Sequence, residues 1–222
     1  MLRNFVRWLE MEKILLWPTP VYHFKTENID NDKIKEILLE KEKTEPTREL
    51  SNRGGWQSHA NVLKDDGFSE IEDFLYDCTS HILKDIFIDD VKFFIVSSWA
   101  NVNRKGDYNE RHVHSNSHWS CVYYITETYM TPLYYVDPRT RSEIMHTKKY
   151  LKNESGPENR PSVSTFGEGT PGEVFMFPSW LEHAVSQNLT DNPRISISCN
   201  FLIGTMAEKE KARVALNKNS WP

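Results

Sequence analysis

Four short stretches in the second half of the chain carry reactive side-chain types at spacings that would let them converge. They are Asn101-Val-Asn103 with Gly106, His112-Val-His114, the run from Pro178 to His183, and Arg194-Ile-Ser196. Side chains alternate faces along a strand, so His112 and His114 point one way and Val113 the other. In the stretch 194–201 the same rule collects Arg194, Ser196, Ser198 and Asn200 on a polar face and Ile195, Ile197, Cys199 and Phe201 on an apolar one. Alternation continues through 174–178, from which a short turn leads to His183. Imidazoles suit a first-row divalent metal, and three protein ligands on one face of an octahedron leave three positions for a cosubstrate and oxygen. A guanidinium near that metal can form a bidentate pair with the far end of a dicarboxylate that chelates the ion through its other end. Arg194 is suited to that clamp, Ser196 could add a hydroxyl, and Asn101 and Asn103 could contact the chelating end.

Other reactive types have plainer readings. His23, His59, His81 and His146 read as surface or satisfied core residues, and His118, past a Ser-Asn-Ser turn from His114, faces solvent or a lid more readily than the metal. Asp107 and Glu110 read as solvated loop charges, either of which could supply a carboxylate if His114 does not bind. The large aromatics Trp56, Trp99, Trp119 and Trp180 read as core or pocket walls. Tyr123 or Tyr124, whichever faces inward, could line the site. Cys78, Cys121 and Cys199 show no CxxC spacing, and their apolar surroundings suit small core residues.

Strands must position these groups. From residue 91 onward the chain offers short β-branched and aromatic runs at 91–103, 107–114, 119–126, 132–137, 173–177, 183–187 and 194–202, separated by turn residues. Seven or eight such strands argue for a sandwich or barrel of the jelly-roll kind, mainly β, and against a parallel α/β sheet. Before them, 13–26 holds prolines in a β-rich stretch and suits an edge strand. Two stretches with apolar residues at helical spacing, 31–43 and 68–87, predict helices packed outside the sheet. The turn-rich Gly54-Gly55-Trp56 segment between them reads as a loop able to reach the site. A single domain over 1–222 is expected, with supporting elements in 1–90, the jelly-roll core in 91–203, and a terminal amphipathic helix in 204–222. The polar stretch 140–171 is either a lid or an insertion without fixed structure, the lid being favoured. Arg139, Arg141, Lys148 and Lys149 stand beside it.

A chain of 222 residues can bury its own core without staples, and its formal charge of −5 gives no basic footprint, so nucleic acid is a poor partner. No apolar run is long enough to span a bilayer. The opening residues carry frequent charges and do not read as a secretory signal, which predicts a cytoplasmic protein.

At the residues singled out above, the chain resembles the iron(II)/2-oxoglutarate-dependent dioxygenases, most closely a bacterial and phage group of 2-oxoglutarate–iron oxygenases. The matching text is RHVHSNSHWSCVYYI at 111–125, VDPR at 136–139, PGEVFMFPSWLEHAVSQN at 171–188 and RISISCNF at 194–201, with GGWQS at 54–58 and WPTPVY at 17–22 extending it. The resemblance implies a double-stranded β-helix, Fe(II) held by His112 and His183, and 2-oxoglutarate clamped by Arg194 and Ser196. Asn101-x-Asn103-x-x-Gly106 is similar to an Asn-x-Tyr-x-x-Gly run whose polar side chains touch 2-oxoglutarate in the nucleic-acid-repair branch, with Asn103 in place of the tyrosine. His114 stands where the family usually has Asp or Glu, which makes the site one charge more positive. The implied activity is hydroxylation of an unactivated carbon in a small-molecule or peptidyl substrate, with release of succinate and carbon dioxide. A competing reading is a cupin-like metal protein, either a cosubstrate-independent dioxygenase or a sugar-modifying or sugar-binding module. Three-histidine ligation suits it, but it has no need of a buried Arg194.

Overall fold

The computed structural model describes residues 19–128, 131–138, 163–165 and 169–208. Eleven strands among these form two antiparallel sheets. The first runs β1-β9-β6-β11-β4-β3, built from β1 (Tyr22–Lys25), β9 (Glu173–Pro178), β6 (Trp119–Tyr124), β11 (Arg194–Gly204), β4 (Lys92–Asn103) and β3 (Trp56–Gln57). The second runs β2-β5-β10-β7-β8, built from β2 (Asn52–Arg53), β5 (Tyr108–His112), β10 (His183–Val185), β7 (Leu133–Val136) and β8 (Val163–Thr165). Chain neighbours such as β4 and β5 lie in opposite sheets, as a double-stranded β-helix requires. β1 is an edge strand, as expected of the 13–26 stretch, though it begins at Tyr22 beyond both prolines, and the strands of the core fall within two or three residues of their expected ends.

Two helices cover the outer face of the larger sheet. In α1 (Asn31–Thr44) the Asp30 carboxylate accepts from the Lys33 backbone N–H at 3.1 Å, satisfying one of the free donors of the first turn. The second helix, α2 (Ser69–Ile86), turns Ile71, Leu75, Cys78 and Ile82 inward at three- and four-residue spacing. They meet Cys121, Ile195, Ile197, Cys199 and Phe201, the apolar side of the alternating strands. Each fully buried Leu or Ile contributes about 1.5–3 kcal/mol here. All three cysteines are free and buried.

A smaller core lies between the sheets, with Val122, Tyr124, Leu133, Phe175, Phe177 and Leu181. Alternation along β6 therefore splits the two tyrosines. Tyr123 points to the helices and donates to Asn31 Oδ1 at 2.9 Å, whereas Tyr124 points between the sheets.

Two expectations are corrected. The Gly54–Trp56 segment does not line the cleft: Trp56 is a core residue on the helix side, one of the two roles expected of it, and its indole N–H donates to the Glu45 carbonyl at 3.1 Å. His114 follows the end of β5 instead of belonging to it, and its backbone N–H donates to the Ser179 carbonyl at 3.0 Å. Most of the expected lid at 140–171 lies outside the described residues, although β8 within it closes the edge of the second sheet against β7. The expected terminal helix also lies outside them beyond Glu208. Among the described residues no helix is long and apolar enough to cross a membrane.

Candidate metal and cosubstrate site

A cleft opens between the two sheets, with an empty volume, mouth included, of about 360 Å³. The larger sheet contributes Trp99 and Asn101 from β4 and Arg194, Ser196 and Ser198 from β11. The facing sheet contributes Asn109 and His112 from β5 and His183 and Val185 from β10, with His114 at the rim of β5.

Strand pairing brings the histidines together. His183 is the register partner of His112 across β10 and β5, and their ring centroids are 4.4 Å apart. His114 lies 5.1 Å from His112 and 5.0 Å from His183, so three ligand atoms fall within 4.8 Å of one another. Each ring engages its Nδ1: His112 with the Glu110 carbonyl at 2.7 Å, His183 with the Leu181 carbonyl at 2.8 Å, and His114 with Asn200 Oδ1 at 2.5 Å. Donation from Nδ1 leaves the lone pair on Nε2, the tautomer a metal needs. Burial lowers all three pKa values, to about 4 for His114 and about 3 for His183, so the cluster is neutral at pH 7 and ready to ligate.

The alternative ligands sit elsewhere. Glu110 pairs with Arg53 at 2.5 Å, Asp107 accepts from the Arg104 backbone N–H at 2.7 Å, and His118 Nδ1 accepts from the Ile203 N–H at 2.9 Å. Among the described residues no carboxylate lines the cleft.

Arg194 is 2 % exposed; its guanidinium donates through Nη1 to Ser196 Oγ at 2.9 Å and also interacts with Tyr124. Its Nε and Nη2 have no hydrogen-bond acceptor. Behind it the Tyr124 ring lies 5.3 Å from the guanidinium carbon, a cation–π support. Burial pulls the Arg194 pKa down, yet guanidinium stays protonated in proteins. A buried cation with two idle donors calls for an anionic partner. Asn101 presents an unpartnered amide oxygen on the same wall. Asn103 differs: it does not line the cleft, and its amide nitrogen donates to Asn109 Oδ1 at 3.2 Å. The donor set of neutral imidazoles, a forked cation and a free amide fits a divalent metal and a dicarboxylate together.

Residues 97–200 match the family model described as "Putative 2OG-Fe(II) oxygenase". These residues form a 2OG-Fe(II) oxygenase domain. The match begins within β4 and ends within β11, and so takes in all three histidines and Arg194. No curated protein matches the sequence. Among solved structures, the carbocyclase SnoK from nogalamycin biosynthesis is 12% identical with a TM-score of 0.57, over 88% of this chain and 86% of that one. A Pseudomonas putida prolyl-4-hydroxylase is 12% identical with a TM-score of 0.53, over 83% and 92% of the two chains. HygX from Streptomyces hygroscopicus, solved with nickel, 2-oxoglutarate and hygromycin B, is 11% identical with a TM-score of 0.54, over 85% and 84%. At such identities the likeness establishes the jelly-roll fold of the oxygenase.

Sequence reasoning passed over the groups behind the site. Asn200 and Ser120 support His114, and Asn109 engages Asn103. Asn200 lay on the predicted polar face of 194–200, but its target depends on which strand β11 pairs with.

Proposed function

We propose that the oxygenase binds Fe(II) through His112, His114 and His183 and holds 2-oxoglutarate by pairing Arg194 and Ser196 with its distal carboxylate, while Asn101 contacts the chelating end. One observation carries this reading: a buried guanidinium with two idle N–H donors lines the same cleft as three convergent, neutral imidazoles. Iron and the keto acid, when bound, supply the oxidising chemistry, in which dioxygen converts 2-oxoglutarate to succinate and carbon dioxide and one oxygen atom goes to the substrate. The chain's own groups bind and orient. The imidazoles keep their Nε2 lone pairs free by donating from Nδ1, Arg194 fixes the direction of the dicarboxylate, and the apolar cluster around Phe177 and Leu181 excludes water from beneath.

We infer hydroxylation of an unactivated carbon as the outcome. It needs no acid–base pair, and the described cleft wall holds no carboxylate to serve as one. The substrate is a small molecule or peptidyl side chain. Three free, buried thiols suit a reducing compartment and support a cytoplasmic location. Arg194 also speaks against the cupin-like reading, because a cosubstrate-free metal site has no anion to pair with it.

The test is anaerobic loading with Fe(II) and 2-oxoglutarate, followed by absorption in the visible. The wild type develops the metal-to-ligand charge-transfer band and, with oxygen, releases succinate. Its persistence in Arg194→Ala and His183→Ala variants would overturn the reading.

A further inference from the structure

The three histidines are not held alike. His112 and His183 each give Nδ1–H to a main-chain carbonyl two residues earlier, at Glu110 and Leu181. His114 alone relies on side chains: its Nδ1 lies 2.5 Å from Asn200 Oδ1 on β11 and 2.8 Å from Ser120 Oγ on β6. Asn200 and Ser120 are register partners across those strands, and Ser120 Oγ donates to Asn200 Oδ1 at 2.9 Å. The hydroxyls continue outward, Ser120 Oγ to Ser179 Oγ at 2.8 Å and Ser117 Oγ donating to Ser179 Oγ at 2.9 Å. Ser120 and Ser179 are fully buried.

We propose that Asn200 is the positioning residue for His114, fixing its ring orientation and tautomer so that Nε2 completes the three-histidine site. The inference rests on the metal-site reading above. The His114 backbone is tied to the Ser179 carbonyl, but that bond does not set the ring, whose orientation and tautomer depend on what accepts its Nδ1–H. The amide oxygen does so. Ser120 aligns the amide: with its hydroxyl given to Asn200, Oδ1 faces both Ser120 and the imidazole as acceptor, and turning the NH₂ inward would break the Ser120 bond. Asn in place of Asp also keeps the support uncharged, so His114 remains a neutral donor and is not drawn toward imidazolate. The carboxylate missing from the ligand set is thus not restored behind it.

Co(II) is the probe, titrated into the full chain and read by its visible ligand-field spectrum and by calorimetry. Asn200→Leu is expected to weaken Co(II) binding about 10–100-fold and to change the spectrum. Asn200→Asp keeps an acceptor and is expected to hold affinity near that of the wild type. Ser120→Ala removes the weaker support and is expected to weaken binding less than tenfold. The apo melting temperature of each variant separates a fold defect from a site defect, and Asn200→Ala serves should Asn200→Leu not fold. Wild-type affinity and spectrum in Asn200→Leu, or in Asn200→Ala if the former does not fold, would overturn the positioning role alone. Absence of Co(II) binding in the wild type would overturn the metal site, and this inference with it.

Discussion

Arg194 stands directly across the β4–β11 ladder from Asn103, yet the asparagine's amide nitrogen is given to Asn109 and the guanidinium turns to Ser196. Neither a carboxylate nor a carbonyl answers its Nε and Nη2 among the described residues. Without an anionic ligand the fold therefore carries a buried cation that Ser196 and the Tyr124 ring support but no counter-charge neutralises, a state that costs stability.

That asymmetry gives the first prediction. Arg194→Met replaces the cation with an apolar chain of similar length, so the apo protein is expected to melt higher than the wild type. At the same time 2-oxoglutarate affinity should fall about 10–100-fold, the loss of charged hydrogen bonds worth about 1.5–3 kcal/mol. Thermal melts with and without 2-oxoglutarate measure both. A variant that melts lower and still shows the full ligand shift contradicts the clamp.

The two asparagines of β4 should separate as well. Asn101→Ala removes an amide that lines the cleft and is expected to raise the KM for 2-oxoglutarate several-fold with little change in melting temperature. Asn103→Ala breaks a buried bond to Asn109 and is expected to cost about 1–3 kcal/mol of stability while leaving KM near the wild-type value. Steady-state succinate release and chemical denaturation distinguish them.

How far the site could be read from the chain follows from what each feature depends on. The faces of β11 and β6 follow from period-two alternation, so Arg194, Ser196 and the inward turn of one of the two tyrosines were legible locally. Which tyrosine turns inward was not, because Tyr123 and Tyr124 are equally aromatic and the choice is set by the register of β6 against β11. The acceptors for His112 and His183 are backbone carbonyls, which leave no trace in residue identity. Asn200 meets His114 only through a contact 86 positions apart in sequence. Trp56 reads as core from its size alone, but the reach of its segment was misjudged: a glycine-rich turn reads as a loop, whereas Gly55 lets it lie against β4, where a Cβ would meet the Val102 carbonyl at 2.9 Å.

pH acts on the empty site in one direction. Burial puts His114 at about 4 and His183 at about 3, below the ordinary 6.5, so the unfolded chain binds these protons more readily than the folded one. Stability is then complete above about pH 6.5 and declines as pH falls toward 3, by up to about 1.4 kcal/mol per pH unit for each group. Apo protein is expected to melt lower at pH 5 than at pH 7.5, with the drop reduced in a His183→Gln variant. Loading with Ni(II) should hold the melting temperature to lower pH, since metal competes with protons for Nε2. A flat apo profile over that range would contradict the buried, neutral cluster.

Adjacent residues of β11 offer the sharpest contrast between fold and function. Ile197 is fully buried in the helix-side core with Cys121 and Cys199, while Ser196 lines the cleft and accepts from Arg194. Ile197→Ala leaves a cavity under the helices and is expected to cost about 2–5 kcal/mol. The KM for 2-oxoglutarate should stay near that of the wild type, because the cleft face of the strand is untouched. Ser196→Ala removes one hydroxyl from a buried cation and is expected to cost only about 1 kcal/mol, yet it should raise KM several-fold. Urea denaturation and steady-state kinetics on the two variants read these effects independently. Should both variants lose stability and affinity in the same proportion, the two faces of β11 would not be separable, and the division of the strand into a core side and a site side would fail.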